Sequence, residues 1–278
     1  MEQIIELTQS QNLQTATAQK SNSPQSWWQK HRLELIAVPA GLAAFLGLWT
    51  LITIAGNYPT FILPDPLSVF NELIEIALNG TLWKHSTATL VEIAGGLALG
   101  LTAATVLGYT LAKNPFLERL IGPYIAAAQS IPAVAIAPLL IIWFGSGQLS
   151  KVLVCALIVF FPVLVNTIVG IRSVDPGLKM LMRSLRANRW QTFMMLEVPA
   201  AMPVLLGGLK IGVVLAVIGA VVGEFVGADR GLGYLISLSK GLFNTPLMFA
   251  ALISLSVISL TLYVIVSGLE HWLLAWRR

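Results

Sequence analysis

The strongest constraint on this chain is the length of its apolar blocks. About six runs, near residues 33–55, 87–112, 120–144, 151–172, 204–227 and 249–272, are each long enough to cross ~30 Å of hydrocarbon at ~1.5 Å per helical residue. A soluble fold needs a charged surface to face water. Here only 11% of residues are charged and 56% are hydrophobic. Ordinary soluble domains carry about 25% charged residues, so this surface faces lipid. The fold class expected is all-α: a polytopic membrane bundle of about six transmembrane helices. The third run is interrupted by Pro132 and Pro138 and is expected to be kinked. The lone Cys155 sits inside an apolar run and reads as a small packing residue, since one cysteine makes neither an internal disulfide nor a metal cluster.

Orientation follows from Lys and Arg. With the N-terminus inside, the outer side holds only Lys84, Lys151, Arg230 and Lys240. All other basic residues, from Lys20 to Arg278, then fall inside. That bias fixes N-in and C-in and requires an even number of spans. The net charge of +4 therefore reports membrane topology and partner docking rather than nucleic-acid affinity.

Residues 1–32 read as a flexible polar tail, rich in Gln, Ser, Thr and Asn, with Trp27 and Trp28 as an interfacial anchor. The first long apolar run begins only after Arg32, so the tail is expected to stay uncleaved. Residues 33–278 form the membrane domain. Asp65-Pro66 marks a helix start, and Leu67, Phe70, Leu73, Ile74 and Ala77 follow at helical spacing, as on an amphipathic helix at the outer face.

Asp175-Pro176 repeats the signal in the longest inner loop, at about 173–203. Leu178, Leu181, Met182, Leu185, Thr192 and Phe193 fall near one helical face, and Lys179, Arg183 and Arg186 near another. Pro199 and Pro203 are expected to end this stretch. The pattern predicts a short helix with one buried face and one basic face. It fits either an ordinary positive-inside loop or an element that docks on a soluble partner.

Small residues recur in the fifth run. Gly208, Gly212, Ala216 and Ala220 form one row, and Gly219, Gly223 and Gly227 another, with Gly96 and Gly100 in the second run. Such rows let helices approach closely. Internal packing accounts for most of them, and one row is a candidate for the pathway or a subunit interface. Among polar residues near apolar runs, Lys210 is placed to snorkel and Glu92 to be wet at the outer end. Asn166, Gly219, Gly223 and Glu224 are the candidate pathway-lining residues. An acidic lining at Glu224 would suit a neutral or cationic solute better than an anion. His31, His85 and His271 lie at run boundaries, as interfacial residues do.

The loop Arg183-Ser-Leu-Arg-Ala-Asn-Arg-Trp-Gln-Thr-Phe, followed by Val198-Pro199-Ala200-Ala201-Met202-Pro203, resembles the cytoplasmic coupling loop of binding-protein-dependent ABC importer permeases. Two departures stand out. The family's Glu-Ala-Ala opening falls on Met180-Leu181-Met182, and its glycine falls on Arg186. The resemblance extends through Leu63-Pro64-Asp65-Pro66, Ile131-Pro132 with Pro138, Trp143-Phe144-Gly145-Ser146-Gly147, Phe160-Phe161-Pro162, Gly170-Ile171-Arg172, and Gly219 to Phe225 with Gly231-Leu232-Gly233-Tyr234. It is similar to the nitrate/sulfonate/taurine branch, and the last motif to members importing pyrimidine precursors of thiamine, or riboflavin.

The resemblance implies a type I importer permease of the bacterial inner membrane, working as a homodimer. It implies two ATPase subunits docked on Asp175, Leu178, Lys179, Leu181, Met182, Arg183, Leu185, Arg186, Ala187, Asn188, Arg189 and Trp190. It also implies a periplasmic or lipid-anchored solute-binding protein outside. The sequence has no Gly-x-x-x-x-Gly-Lys-Ser/Thr run, no His-Glu-x-x-His and no nucleophile elbow. No cofactor or catalytic residue is expected in this chain, and ATP is used by the partner. The rival reading is an ion-gradient-driven secondary transporter. Such proteins pair broken helices in repeated halves, and only one proline-interrupted run is present here.

Overall fold

A computed structural model describes residues 27–277, and the side chains of residues 37 and 39–276. Residues 1–26, the side chains of Trp27, Trp28, His31 and Arg277, and all of Arg278 lie outside the described residues. The first unit ends at Asn57 and contains α1 (Trp27–Gly56); the second runs from Tyr58. In the second unit the order is α2 (Pro66–Leu78), α3 (Thr81–Lys113), α4 (Pro115–Gln129), α5 (Ala133–Phe144), α6 (Gln148–Arg172) and α7 (Pro176–Ser184). There follow α8 (Arg189–Thr192), a π-turn (Phe193–Glu197), α9 (Val198–Gly227), α10 (Leu232–Gly241) and α11 (Thr245–Leu273). The described residues are helical with short connections. Five helices are long and apolar enough to span a membrane, or six when the bent pair α4–α5 counts as one crossing.

That pair corrects the expected kinked third span. The two halves meet at 92°. Pro132 has no N–H to donate and pushes the residue before it out of helical geometry. Ser130 and Ile131 therefore close back on Ala127 and Ala128 as the first half ends. Pro138 stays inside α5 and does not break it.

The centre of the second unit is α6, packed between α3 and α9. Small residues make this possible. A Cβ on Gly219 of α9 would lie 2.7 Å from the Cys155 Cα, and one on Gly100 of α3 would lie 2.8 Å from the Ala156 carbonyl oxygen. Cys155 is fully buried between the two helices, as a packing residue should be. Around it sit Ile93, Val159, Val163, Ala216 and Ala220. Close backbone approach replaces hydrophobic exclusion as the source of helix association in lipid.

α2 starts as read, with the Asp65 side chain accepting from Ser68 N–H at 3.1 Å. The residues it buries lie off the apolar row read from the spacing. Val69 and Ile76 turn inward toward α3 and α11, while Leu67, Phe70 and Ile74 face out. An apolar face in a membrane protein has two destinations, protein and lipid, and the pattern alone does not choose between them.

After α9, only residues 228–231 are a loop; α10 is a helix packed against α3, α9 and α11, with Leu232, Leu235, Ile236 and Ser239 buried.

Candidate functional site

The inner loop begins as its sequence requires. Asp175 accepts the Gly177 N–H at 2.6 Å and Pro176 opens α7. Then α7 ends early. Leu185 N–H donates to Leu181 O (3.0 Å), Arg186 N–H to Arg183 O (2.9 Å) and Ala187 N–H to Met182 O (3.0 Å). This is a Schellman stop, whose pivotal residue is left-handed. That residue is Arg186, at φ +54°. A new start follows at once. Asn188 accepts the Gln191 N–H and Gln191 accepts the Asn188 N–H, both at 2.8 Å, a capping box opening α8.

Among the described residues, none covers the expected buried face of α7, and no residue of α7 is buried. Leu178, Leu181 and Leu185 are 45%, 53% and 68% exposed, Trp190 is 64% exposed, and Arg183 lies exposed on the other face. Lys179, Met182 and Ala187 are half-buried, and Asp175, Arg186, Asn188 and Arg189 are exposed. Thr192 and Phe193 leave the shared face because the helix breaks between Leu185 and Asn188.

Pro199 and Pro203 do not end the stretch. α8 runs through the π-turn into α9. Pro199 can make no helical N–H bond, and the widened turn, with Val198 N–H reaching Phe193 O, makes room ahead of it. Glu197 in that turn is 2% exposed and ion-paired to Lys113 at the end of α3, and Tyr109 donates to it at 3.2 Å. Two further inner pairs are Arg172–Glu118 and Lys210–Glu270. Lys210 thus does not simply snorkel; it is neutralised in place and sits 5.8 Å above the Tyr263 ring.

The outer end holds a second polar cluster, and here three expectations are corrected. His85 is not interfacial but buried, with Gly231 N–H donating to its Nδ1 at 3.0 Å and Tyr234 stacked 5.8 Å away. Glu92 is not wet: it is 2% exposed and 3.7 Å from Lys151, itself a buried lysine rather than an outer-loop one. Glu224 is 2% exposed and accepts from Thr89 Oγ1 at 2.6 Å and from Gly233 N–H. Thr89 in turn accepts the Leu232 N–H at 2.9 Å. Glu224 thus caps the first turn of α10 and joins it to α3. Gly231, at φ +117°, and Gly233 leave room for that carboxyl, since a Cβ on Gly233 would lie 2.7 Å from Glu224 Oε2.

Of the other pathway candidates, Gly219 and Gly223 face Cys155 and Lys151 of α6. Asn166 is half-buried beside Gly208 and donates to the Pro162 carbonyl at 2.9 Å. A cavity of about 710 Å³ opens at the outer end, lined among others by Lys84, Glu92, Gln148, Lys151, Asp229 and Arg230. Its lining is mixed in charge and does not include Glu224. Backbone N–H donation first, and then the Arg230 charge, hold the Asp229 carboxyl below its ordinary pKa. Glu197, His85, Thr89 and Lys151 escaped the sequence reading as site residues because their partners lie far away in the chain.

A family described as binding-protein-dependent transport system inner membrane component matches residues 96–277. The chain belongs to that family. This permease is 47% identical over 249 residues to the riboflavin transport system permease protein RibX of Chloroflexus aurantiacus, covering 90% of this chain and 93% of that one. It is 37% identical over 218 residues to the formylaminopyrimidine transport permease protein ThiX of Halalkalibacterium halodurans, covering 78% and 87%. To the taurine transport system permease protein TauC of Escherichia coli it is 29% identical over 234 residues, covering 82% and 85%. Its fold is similar to a chain of the inward-facing MetNI methionine ABC transporter, with a TM-score of 0.58 and 19% identity over 70% of this chain and 95% of that one. The permease is a multi-pass inner-membrane subunit of an ABC importer for a small solute.

Proposed function

We propose that this permease imports a flavin or pyrimidine-type heterocycle, and that its α7–α8 surface receives an ATPase subunit. The observation that carries the docking reading is the apolar face of Leu178, Leu181 and Leu185, left exposed among the described residues and flanked by Lys179 and Arg183. A cytoplasmic helix with such a face has no lipid to cover it and needs a protein groove. The identities support the solute class, since the riboflavin and formylaminopyrimidine permeases match at 47% and 37% and the taurine permease at 29%.

We further propose a homodimer. On α9, Ile211, Val214 and Ile218 form an exposed stripe at helical spacing, on the face turned away from α6. Two such stripes would wall one pathway, with a solute-binding protein delivering from outside. In this proposal Asn166 borders the pathway, whereas Gly219, Gly223 and Glu224 hold its wall together. Nucleotide-driven closure of two ATPases would rock the spans between inward and outward states.

The test uses the complex purified through a tag on this chain. Leu181→Asp and the pair Arg183→Glu with Arg186→Glu should insert normally and lose the co-purifying ATPase. Undiminished ATPase in both would refute the docking reading. Uptake of labelled riboflavin, formylaminopyrimidine and taurine by cells with and without the permease tests the solute class; preference for taurine would refute it.

A further inference from the structure

The docking surface is joined to a membrane span by one buried carboxylate. Glu197 is the last residue of the π-turn that links α8 to α9, inside a continuous helical rod from Arg189 to Gly227. It is 2% exposed, a position where a carboxylate is tolerated only with partners. Both partners come from α3: Lys113, through an ion pair, and Tyr109, through its hydroxyl at 3.2 Å. Aromatic contacts run parallel to the ion pair. Phe193 packs edge-on against Tyr109 at 5.1 Å, Trp190 lies 5.7 Å from Phe193, and the Lys113 ammonium sits 5.6 Å from the Tyr109 ring centre. Trp190 belongs to the exposed docking surface, so the chain of contacts runs from that surface to the inner end of α3.

α3 carries whatever it receives a long way. Its 33 residues span about 50 Å at 1.5 Å per residue. Near its outer end His85, Thr89 and Glu92 hold the Gly231–Gly233 turn, Glu224 and Lys151. One rigid element thus joins the docking segment to the polar cluster beside the outer cavity. Close-packed helices shift between discrete arrangements rather than bend, so a carboxylate gripped by two α3 side chains makes α3 follow the docking segment.

We infer that Glu197 is a positioning residue for transport: with Lys113 and Tyr109 it clamps the ATPase-docking segment to α3, so that a displacement of that segment moves α3. The inference rests on the docking reading above. It assigns Glu197 no contact with solute or ATPase, and the clamp is distinct from the Leu178–Trp190 surface.

Amide hydrogen exchange of the purified complex in nanodiscs tests it, comparing Mg-ATP with vanadate against no nucleotide. In the wild type, exchange in residues 189–197 and in residues 106–113 should change together. Glu197→Gln should keep the ATPase bound and keep the response in 189–197, while the response in 106–113 is lost. Lys113→Gln should behave in the same way and Lys113→Arg should restore the joint response, which covers the case in which Glu197→Gln fails to insert. Joint responses in Glu197→Gln or in Lys113→Gln, with ATPase bound, would overturn the clamp and leave the docking reading standing. A wild-type complex with no nucleotide response in 189–197 would overturn the docking reading, and the clamp with it.

Discussion

Replacing Arg186 separates backbone strain from charge in the loop between α7 and α8. Arg186 stands at φ +54° as the left-handed residue of the stop that ends α7. Left-handed backbone costs a non-glycine residue about 1–2 kcal/mol, because its Cβ crowds the following carbonyl. Glycine carries no such cost. Arg186→Gly removes both the charge and the strain; Arg186→Ala removes only the charge. The difference between the two variants therefore isolates the strain, after allowing for the extra entropy of glycine in the open loop, ~0.5–1 kcal/mol. Taking central values, about 1.5 less about 0.75 kcal/mol, the net advantage of glycine is about 0.75 kcal/mol, or roughly a two- to fivefold shift in the population with the stop formed. The amides that report it are those of Leu185, Arg186 and Ala187, which close the stop. Their hydrogen exchange in the purified full chain should be two- to fivefold slower in Arg186→Gly than in Arg186→Ala, by the same estimate. Equal exchange in the two variants, or faster exchange in the glycine variant, would refute the reasoning. ATPase co-purification gives a second reading. If the basic charge matters most, both variants lose partner alike; if loop shape matters most, the glycine variant keeps more.

Gly219→Ala should lower the melting temperature relative to Gly207→Ala by several degrees. Both gain the same helix propensity, but a Cβ at 219 meets Cys155 Cα at 2.7 Å while one at 207 meets nothing within 4 Å, so overpacking of about 1–3 kcal/mol appears only in the first. Glu224→Ala should cost about 1–3 kcal/mol, since it strips the buried Gly233 N–H of its acceptor, while the Thr89 hydroxyl keeps the His85 carbonyl at 3.2 Å. Proteolysis within residues 228–241 should accelerate in that variant. Asp65→Ala should destabilise α2 by about 1 kcal/mol at neutral pH. The Ser68 hydroxyl, ahead of backbone N–H groups, holds the Asp65 carboxyl below its ordinary value. That depressed value makes its contribution full above about pH 4, the unfolded pKa, and lost as pH falls through the lower folded one. The gap between wild type and Asp65→Ala, followed by thermal melts, should close there.

Long-period features were legible in the sequence because lipid imposes them residue by residue. The apolar runs, the starts at Asp65 and Asp175, and the basic inner loop needed only local chemistry. The family's glycine at the place of Arg186 was visible as a departure, and the left-handed φ supplies its reason. What escaped depends on partners distant in the chain. Glu197 pairs across to Lys113, and His85 reaches Gly231, so neither could be told from a wet boundary residue. Glu92 and Lys151 read as outer-surface charges because each alone is costly in the membrane; together they are buried. The inward face of α2 was missed because lipid and protein attract the same side chains.

The most direct test of the account is transport in reconstituted vesicles with and without the ATPase subunit. The permease together with its ATPase, the solute-binding protein and ATP should accumulate labelled riboflavin, and the permease with the binding protein and an imposed ion gradient but no ATPase should accumulate none. Accumulation that persists without any ATPase would contradict the account.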